Sequence, residues 1–323
     1  MSRKISADPI FLRGVRTAVF CTFLITYLSG CNGGGGGGAV VTFPSATFTG
    51  PLSSLTEPVT FDASAATIES CTSVGCPPIS SAIFLRSPAV HQITIDPIAN
   101  SVDITSGPGG TIDLSFGPVK FINGTGPRAL ALESGSGSIT ERLTLLLPGP
   151  APASTLDWAS YGVWSITNVI SPGNQLFDGG ALSFGVLTPL NDMPTSGTAN
   201  YNTGFMDGLY VNAARETFNL TGDATLTANF QSLKITGLLD NIQAVRILAS
   251  PPPATSFGNI VLDGSISGNN FVGSANSTGI AVPLSGSVQG SFYGPAAQEA
   301  GGVFQIKSVG GTEHAVGAFA VRK

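Results

Sequence analysis

Residues 222–239 read GDATLTANFQSLKITGLL, and their alternation decides the fold. Ala224, Leu226, Ala228 and Phe230 share one side while Thr225, Thr227 and Asn229 share the other, the two-residue period of a half-buried strand. After Gln231 and Ser232 the register resumes as Leu233, Ile235, Gly237 and Leu239 against Lys234 and Thr236, so one face is core and the other is wet. Outward from this stretch, residues 198–210, 258–266, 270–275, 283–293, 303–308 and 315–321 repeat the pattern between Gly, Pro, Asn and Ser. Almost no segment holds apolar residues at i, i+3, i+4 and i+7 for three turns, which argues for an all-β chain. Splitting the first segment, or counting a weak run at 244–248, brings the total to about eight strands, enough for a closed antiparallel barrel without exposed edges.

The barrel reads as soluble. Its outward faces carry Thr, Asn, Ser and Lys rather than a lipid-facing belt, and the last residues are VRK rather than a terminal aromatic. Upstream, residues 41–190 are less regular, with β runs at 90–95 (VHQITI), 101–104, 111–116, 142–147 and 181–187 and a proline-rich connection at 148–152. They are expected to form a second, smaller β domain. The boundary to the barrel, 191–323, is expected within LTPLNDMPTSG, 187–197, where prolines, Asn191 and Asp192 interrupt any strand.

At the start of the chain Arg3, Lys4, Arg13 and Arg16 precede a twelve-residue apolar run, TAVFCTFLITYL at 17–28, too short to span a bilayer as a helix. It runs into LSGC, which resembles the lipobox of bacterial lipoproteins and marks Cys31 as the acylated residue behind a signal peptide of residues 1–30. Asn32 rather than Asp follows it, which points to the outer membrane. The six glycines at 33–38 then form a flexible tether over residues 31–40, between lipid and fold.

Removing the leader's four basic residues and one acidic residue from 14 Lys+Arg and 19 Asp+Glu leaves a net charge of −8, which excludes a nucleic-acid binder. Cys21 leaves with the leader and Cys31 takes lipid. Cys71 and Cys76, in CTSVGC, are expected to close a small disulfide loop in an oxidising compartment, the alternative being an incomplete metal pair. Nothing resembles a hydrolase elbow or a metal motif, and only two histidines, His91 and His314, are present. Asp207, Asp223, Asp240 and Asp263 adjoin Gly or Asn and are read as turn caps. An enzyme is not expected, although paired carboxylates could meet in space.

In FYGPAAQEAGG, 292–302, Phe292 continues an inward series with Tyr293 outward, or the reverse. Gly294 and Pro295 end the strand, residues 295–299 could make one helical turn, and Gly301 and Gly302 would let the chain reverse. A hairpin that closes the barrel is weighed there against a ligand role for Tyr293 or Glu299.

MPTSGTANY (193–201), GDATLTANF (222–230), GSVQGSFYGPAAQEAGGVF (286–304) and GAFAVRK (317–323) together resemble the barrel domain of the transferrin-binding protein B family of surface lipoproteins. YGVWS (161–165) and LSFGVLT (182–188) are similar to the end of that family's handle domain. The resemblance implies one handle-plus-barrel lobe and a non-enzymatic surface lipoprotein that captures an iron source. It also implies a TonB-dependent outer-membrane transporter and a dedicated lipoprotein translocator as partners. The alternative is an adhesion, host-factor-recruiting or shielding protein. No cofactor is read from the residues. Were haem the ligand, His314 in an exposed glycine-flanked hairpin would be the axial candidate, against the reading of a solvated loop histidine, and for protein recognition Tyr201, Phe205 and Tyr210 are the candidate aromatics, with core packing as the rival reading.

Overall fold

The computed structural model describes residues 48–72, 78–84, 91–99, 101–106, 113–116, 129–134, 138–146, 156–171, 174–247 and 254–323. The leader, Cys31, the glycine tether and Cys76 lie outside them. No helix among the described residues is long and apolar enough to cross a membrane. Handle and barrel fall within one unit, Thr42–Lys323.

The handle holds two sheets. The smaller contains β1 (Val59–Asp62), β4 (His91–Asp96), β5 (Ser101–Ser106) and β6 (Asp113–Phe116), in that order. The larger contains β2 (Ser64–Cys71), β3 (Ser80–Phe84), β7 (Ala129–Ser134), β8 (Ile139–Leu146), β9 (Ala159–Ser171) and β10 (Asn174–Gly185), ordered β3-β2-β10-β9-β8-β7. Alternate residues of the larger sheet serve different cores. Leu143, Leu145, Trp164, Leu182 and Phe184 pack on Phe61, Ile93, Val102 and Ile104 of the small sheet. Ala66, Ile68, Tyr161, Val163, Phe177 and Ala181 pack on the barrel instead. A sheet buried on both faces lacks the alternation that marks a half-wet strand, so β2 and the first half of β9 escape a reading based on period two.

The barrel comprises β11 (Thr198–Tyr201), β12 (Thr203–Val211), β13 (Thr217–Asn229), β14 (Lys234–Arg246), β15 (Ala254–Ser267), β16 (Asn270–Thr278), β17 (Leu284–Tyr293), β18 (Glu299–Ser308) and β19 (His314–Arg322). Both β11 and β12 pair with β13, one after the other, so they form a single stave. Pairing of β13 with β14, and of β12 with β19, closes the wall at eight staves. The eighth strand therefore needs neither a split first segment nor a separate run at 244–248, because Ala244 to Arg246 belong to β14.

Inside the barrel Phe292 lies 6.2 Å from Tyr201, 5.5 Å from Phe230 and 5.6 Å from Phe271 between ring centres, and Phe271 reaches Phe319 at 6.4 Å. With Leu226, Ile235, Leu262 and Phe304 these rings fill the interior. Phe292 is thus the inward residue and Tyr293 the outward one. Two local expectations are corrected. The chain reverses at Gly294 and a short 3-10 turn, Pro295–Ala297, and not at Gly301 and Gly302, which lie inside β18. A Cβ on Gly302 would stand 2.5 Å from the Gln289 carbonyl, so these glycines serve close backbone approach. Asp207, Asp223, Asp240 and Asp263 are not turn caps: all four sit within strands. Asp223 and Asp240 flank a register shift, where Asn241 at φ 52° donates to Asp223 at 2.8 Å.

Candidate functional site

Strands β12, β18 and β19 turn an apolar outer wall toward the large handle sheet, with Leu209, Val211, Val303, Val316, Ala318 and Ala320 buried there. Several polar groups with unusual surroundings lie along this seam. Glu299 opens β18 directly after the turn, and none of its surface is exposed. Its carboxylate accepts the backbone N–H groups of Asp157 (2.7 Å), Trp158 (2.8 Å) and Ala159 (2.8 Å), at the start of β9. Burial raises its pKa, and the three N–H donors and the Arg322 charge pull the other way. Arg322 itself pairs with Asp157 at 3.2 Å. Above the clamp, Gly294 at φ 71° sits so close to Trp158 that a Cβ would lie 2.5 Å from the indole, which leaves glycine as the residue that fits.

Further along, Asp207 of β12 points out of the barrel and accepts a hydrogen bond from the buried Tyr161 hydroxyl of β9. Desolvation lifts the partly buried carboxyl from 3.8 to about 7, against the lowering effect of the Tyr161 bond. Asp178 of β10 also rises to about 7, through burial and then the charge of Glu69, its cross-strand neighbour on β2.

His314 is buried, contrary to the exposed hairpin expected for it, because it begins β19 beneath β3. Its Nε2 faces the Gly311 carbonyl at 3.1 Å, which can only accept, so that nitrogen carries the proton. Nδ1 therefore accepts from Ser81 Oγ at 2.7 Å, and Ser81 accepts in turn from Gln305 Nε2 at 2.7 Å. Desolvation lowers the His314 pKa, against the raising effect of the Gly311 bond. Both ring nitrogens are committed, a poor state for an axial metal ligand.

The candidate aromatics are not free loop side chains. Tyr201 is fully buried in the barrel and donates to the Ala297 carbonyl at 2.8 Å. Tyr210 is partly buried, lies 5.0 Å from Phe257, and donates to Glu313 at 2.5 Å. Phe205 packs into the seam. Tyr293 is buried at the seam, 3.5 Å from the Ser183 hydroxyl. Cys71 ends β2, buried and disulfide-bonded. Among the described residues no group of three or more His, Cys, Asp or Glu could hold a metal ion. Sequence reasoning took Asp207 for a turn cap and passed over Tyr161, Arg215 and Arg246. Only the break in an apolar outward series, Phe205–Asp207–Leu209–Val211, could have flagged the first.

At the end of the seam where β12 turns into β13, handle and barrel leave a cleft of about 290 Å³. Ser70, Thr167, Gln175 and Phe177 line it from the handle, and Arg215, Glu216, Thr217 and Arg246 from the barrel.

Residues 193–323 match the family model described as the C-lobe and N-lobe β-barrels of Tf-binding protein B. An uncharacterised protein of Haemophilus influenzae is 30% identical over 135 residues, which make up 41% of this chain and 39% of that relative's length. Among solved structures, intact Ap-TbpB with its N and C lobes is similar over 82% of this chain and 77% of its own, at 13% identity and a TM-score of 0.42. The haemoglobin receptor HpuA from Kingella denitrificans is similar over 87% and 89% at 16% identity and a TM-score of 0.38. For isotype 1 TbpB of Neisseria meningitidis the shares are 77% and 59%, again at 16% and 0.38.

Proposed function

We propose, on the premise that residues 193–323 belong to the barrel family of transferrin-binding protein B, that this chain is a surface lipoprotein which captures an iron- or haem-carrying protein. Capture takes place by contact on the outer surface, and no catalysis is involved. The observation that carries this reading is the filled barrel. Tyr201, Phe230, Phe271, Phe292 and Phe319 occupy the space a small ligand would need, and His314 has both nitrogens committed within the fold. An outer surface remains, with exposed leucines at one barrel end: Leu190 in the segment before β11 and Leu233 in the β13–β14 turn. Large exposed apolar side chains on loops suit protein recognition.

The reading places acyl chains on Cys31 and the glycine tether between the outer membrane and the handle. Delivery to an outer-membrane transporter then follows from loose tethering beside it. Two measurements test the whole. Labelling with palmitate is expected to vanish in Cys31→Ser, with protease access to the folded part on intact cells. Incubated with transferrin, haemoglobin and haemin in parallel, the chain without residues 1–32 is expected to retain a carrier protein and to give no haemin absorption shift that depends on His314. A saturable haemin band lost in His314→Ala, with no carrier retained, would overturn protein capture. Retention of neither would leave the adhesion or shielding alternative.

A further inference from the structure

We infer that the cleft at the end of the handle–barrel seam is a second binding site, for a hydroxyl-rich anion the size of one sugar ring: a sugar acid or a sugar phosphate. It is independent of carrier-protein capture. Its volume, about 290 Å³, lies at the lower end of ligand-site sizes, which suits a ligand smaller than a nucleotide.

Charge is the first argument. The lining carries two guanidinium groups, Arg215 and Arg246, against one carboxylate, Glu216. Glu216 is already engaged, at 2.9 Å with Arg246 Nη2 and at 2.9 Å with Asn212 Nδ2. Arg215 donates Nη1 to a neutral acceptor, the Cys71 carbonyl, at 2.8 Å. In a protein of net charge −5 the lining thus carries one more positive than negative side chain, a balance that favours an anion.

Preorganisation is the second. Arg215 adopts φ 61°, a left-handed conformation that side chains other than Gly, Asn and Asp rarely take. The surrounding loop holds it there: Arg215 N–H donates to the Asn212 carbonyl at 2.8 Å, and Asn212 Oδ1 accepts from Glu216 N–H at 2.9 Å. Strain kept by its neighbours marks a position whose geometry is specified. Through the Cys71 carbonyl, Arg215 bridges the barrel loop to the end of β2.

The rest of the lining supplies the polar contacts. Hydroxyls of Ser70, Thr167 and Thr217 and the amide of Gln175 can each donate and accept, which matches a ring of hydroxyls rather than a bare inorganic ion. Phe177 and Ile247 supply apolar patches for the ring carbons.

Calorimetry or nitrogen-15 NMR titration of the chain without residues 1–32 tests the site, with N-acetylneuraminic acid, glucuronic acid and glucose 6-phosphate as probes and glucose as the neutral control. At least one anionic sugar is expected to saturate and to bind about tenfold or more tighter than glucose, with a loss of about tenfold or more in Arg246→Ala. Its affinity should fall as salt rises. Thr167→Val, which keeps the charge, is expected to weaken binding as well and serves if the arginine variant does not fold. A methyl glycoside that binds as well as the free acid identifies the end of a glycan chain as the source; binding of the free acid alone identifies a solute. No saturation by any probe up to about 10 mM, equal binding of glucose, or full affinity in both variants would overturn the site. None of these outcomes bears on whether a carrier protein is retained.

Discussion

Across β14, β15 and β16 of the barrel, buried and solvent-facing side chains alternate, whereas across β18 and β19 almost every residue is dry on both sides of the wall. The two stretches belong to one closed sheet with one interior, so the difference lies in what covers the outside. The β12–β18–β19 wall would expose Leu209, Val211, Val303 and Val316 on a barrel standing alone, and the handle sheet is their cover. Several of the buried polar groups with an unusual environment follow that cover. Glu299, the Tyr161–Asp207 pair and the Gln305–Ser81–His314 chain all lie on the seam. The covered wall is where this fold is specified, and the wet wall is where it tolerates change.

The sharpest way to break that contrast is one substitution made on each wall. Val316→Asp buries a charge on the covered side and is expected to destabilise by roughly 4 kcal/mol or more, or to prevent folding. Val261→Asp, on the wet side and 42% exposed, is expected to stay within about 0.5 kcal/mol in the same denaturant melts. Similar losses at both positions would show that the handle does not protect the wall.

Next in size is Glu299→Ala, which strands three backbone N–H donors and removes a charge-assisted contact between handle and barrel. A loss of about 3 kcal/mol is expected, with Asp157→Ala, which leaves the three donors satisfied, costing much less.

A smaller effect reads the seam through pH. The folded-state pKa of Asp207 is raised from 3.8 to about 7, so the fold holds that proton more tightly than the unfolded chain. Its contribution to stability is present at low pH and is lost as pH rises from about 4 to about 7, by no more than about 1.4 kcal/mol per pH unit. Asp207→Asn should flatten that slope in melts taken across the window, leaving the part due to Asp178, whose rise to about 7 has the same sign. His314, with a lowered pKa, acts oppositely and costs stability as pH falls through its unfolded value of 6.5. An unchanged slope in Asp207→Asn would mean that the carboxyl is solvated rather than sealed by the handle.

Least of all should stability respond to Arg246→Ala. Its partly exposed ion pair with Glu216 is worth about 0.5 kcal/mol or less after solvent screening, and a melt coincident with the parent chain checks that.

How legible a residue was depended on which wall it occupied. Residues 222–239 announced β13, the turn and β14 because one face of each is wet, and polar side chains there mark the period. The same test fails on β2 and β9, in the middle layer between the small sheet and the barrel, since both of their faces demand apolar residues. The burial of the candidate site residues escaped the sequence for a related reason. Tyr201, Tyr293 and His314 are residue types that commonly meet solvent, and nothing local in the chain records that a strand more than a hundred residues away lies over Tyr293 and His314.

The sequence by itself determined the all-β class, the closed barrel at 191–323, further β structure before it and the acidic character, because period, turn residues and charge are local properties of the chain. Only the tertiary structure decided which barrel wall the handle covers, that Glu299 staples the two parts, that Asp207 meets the Tyr161 hydroxyl, and that two arginines meet at one cleft. Those outcomes rest on contacts between residues far apart in sequence, and the burial that sets their energies exists only once both surfaces have met.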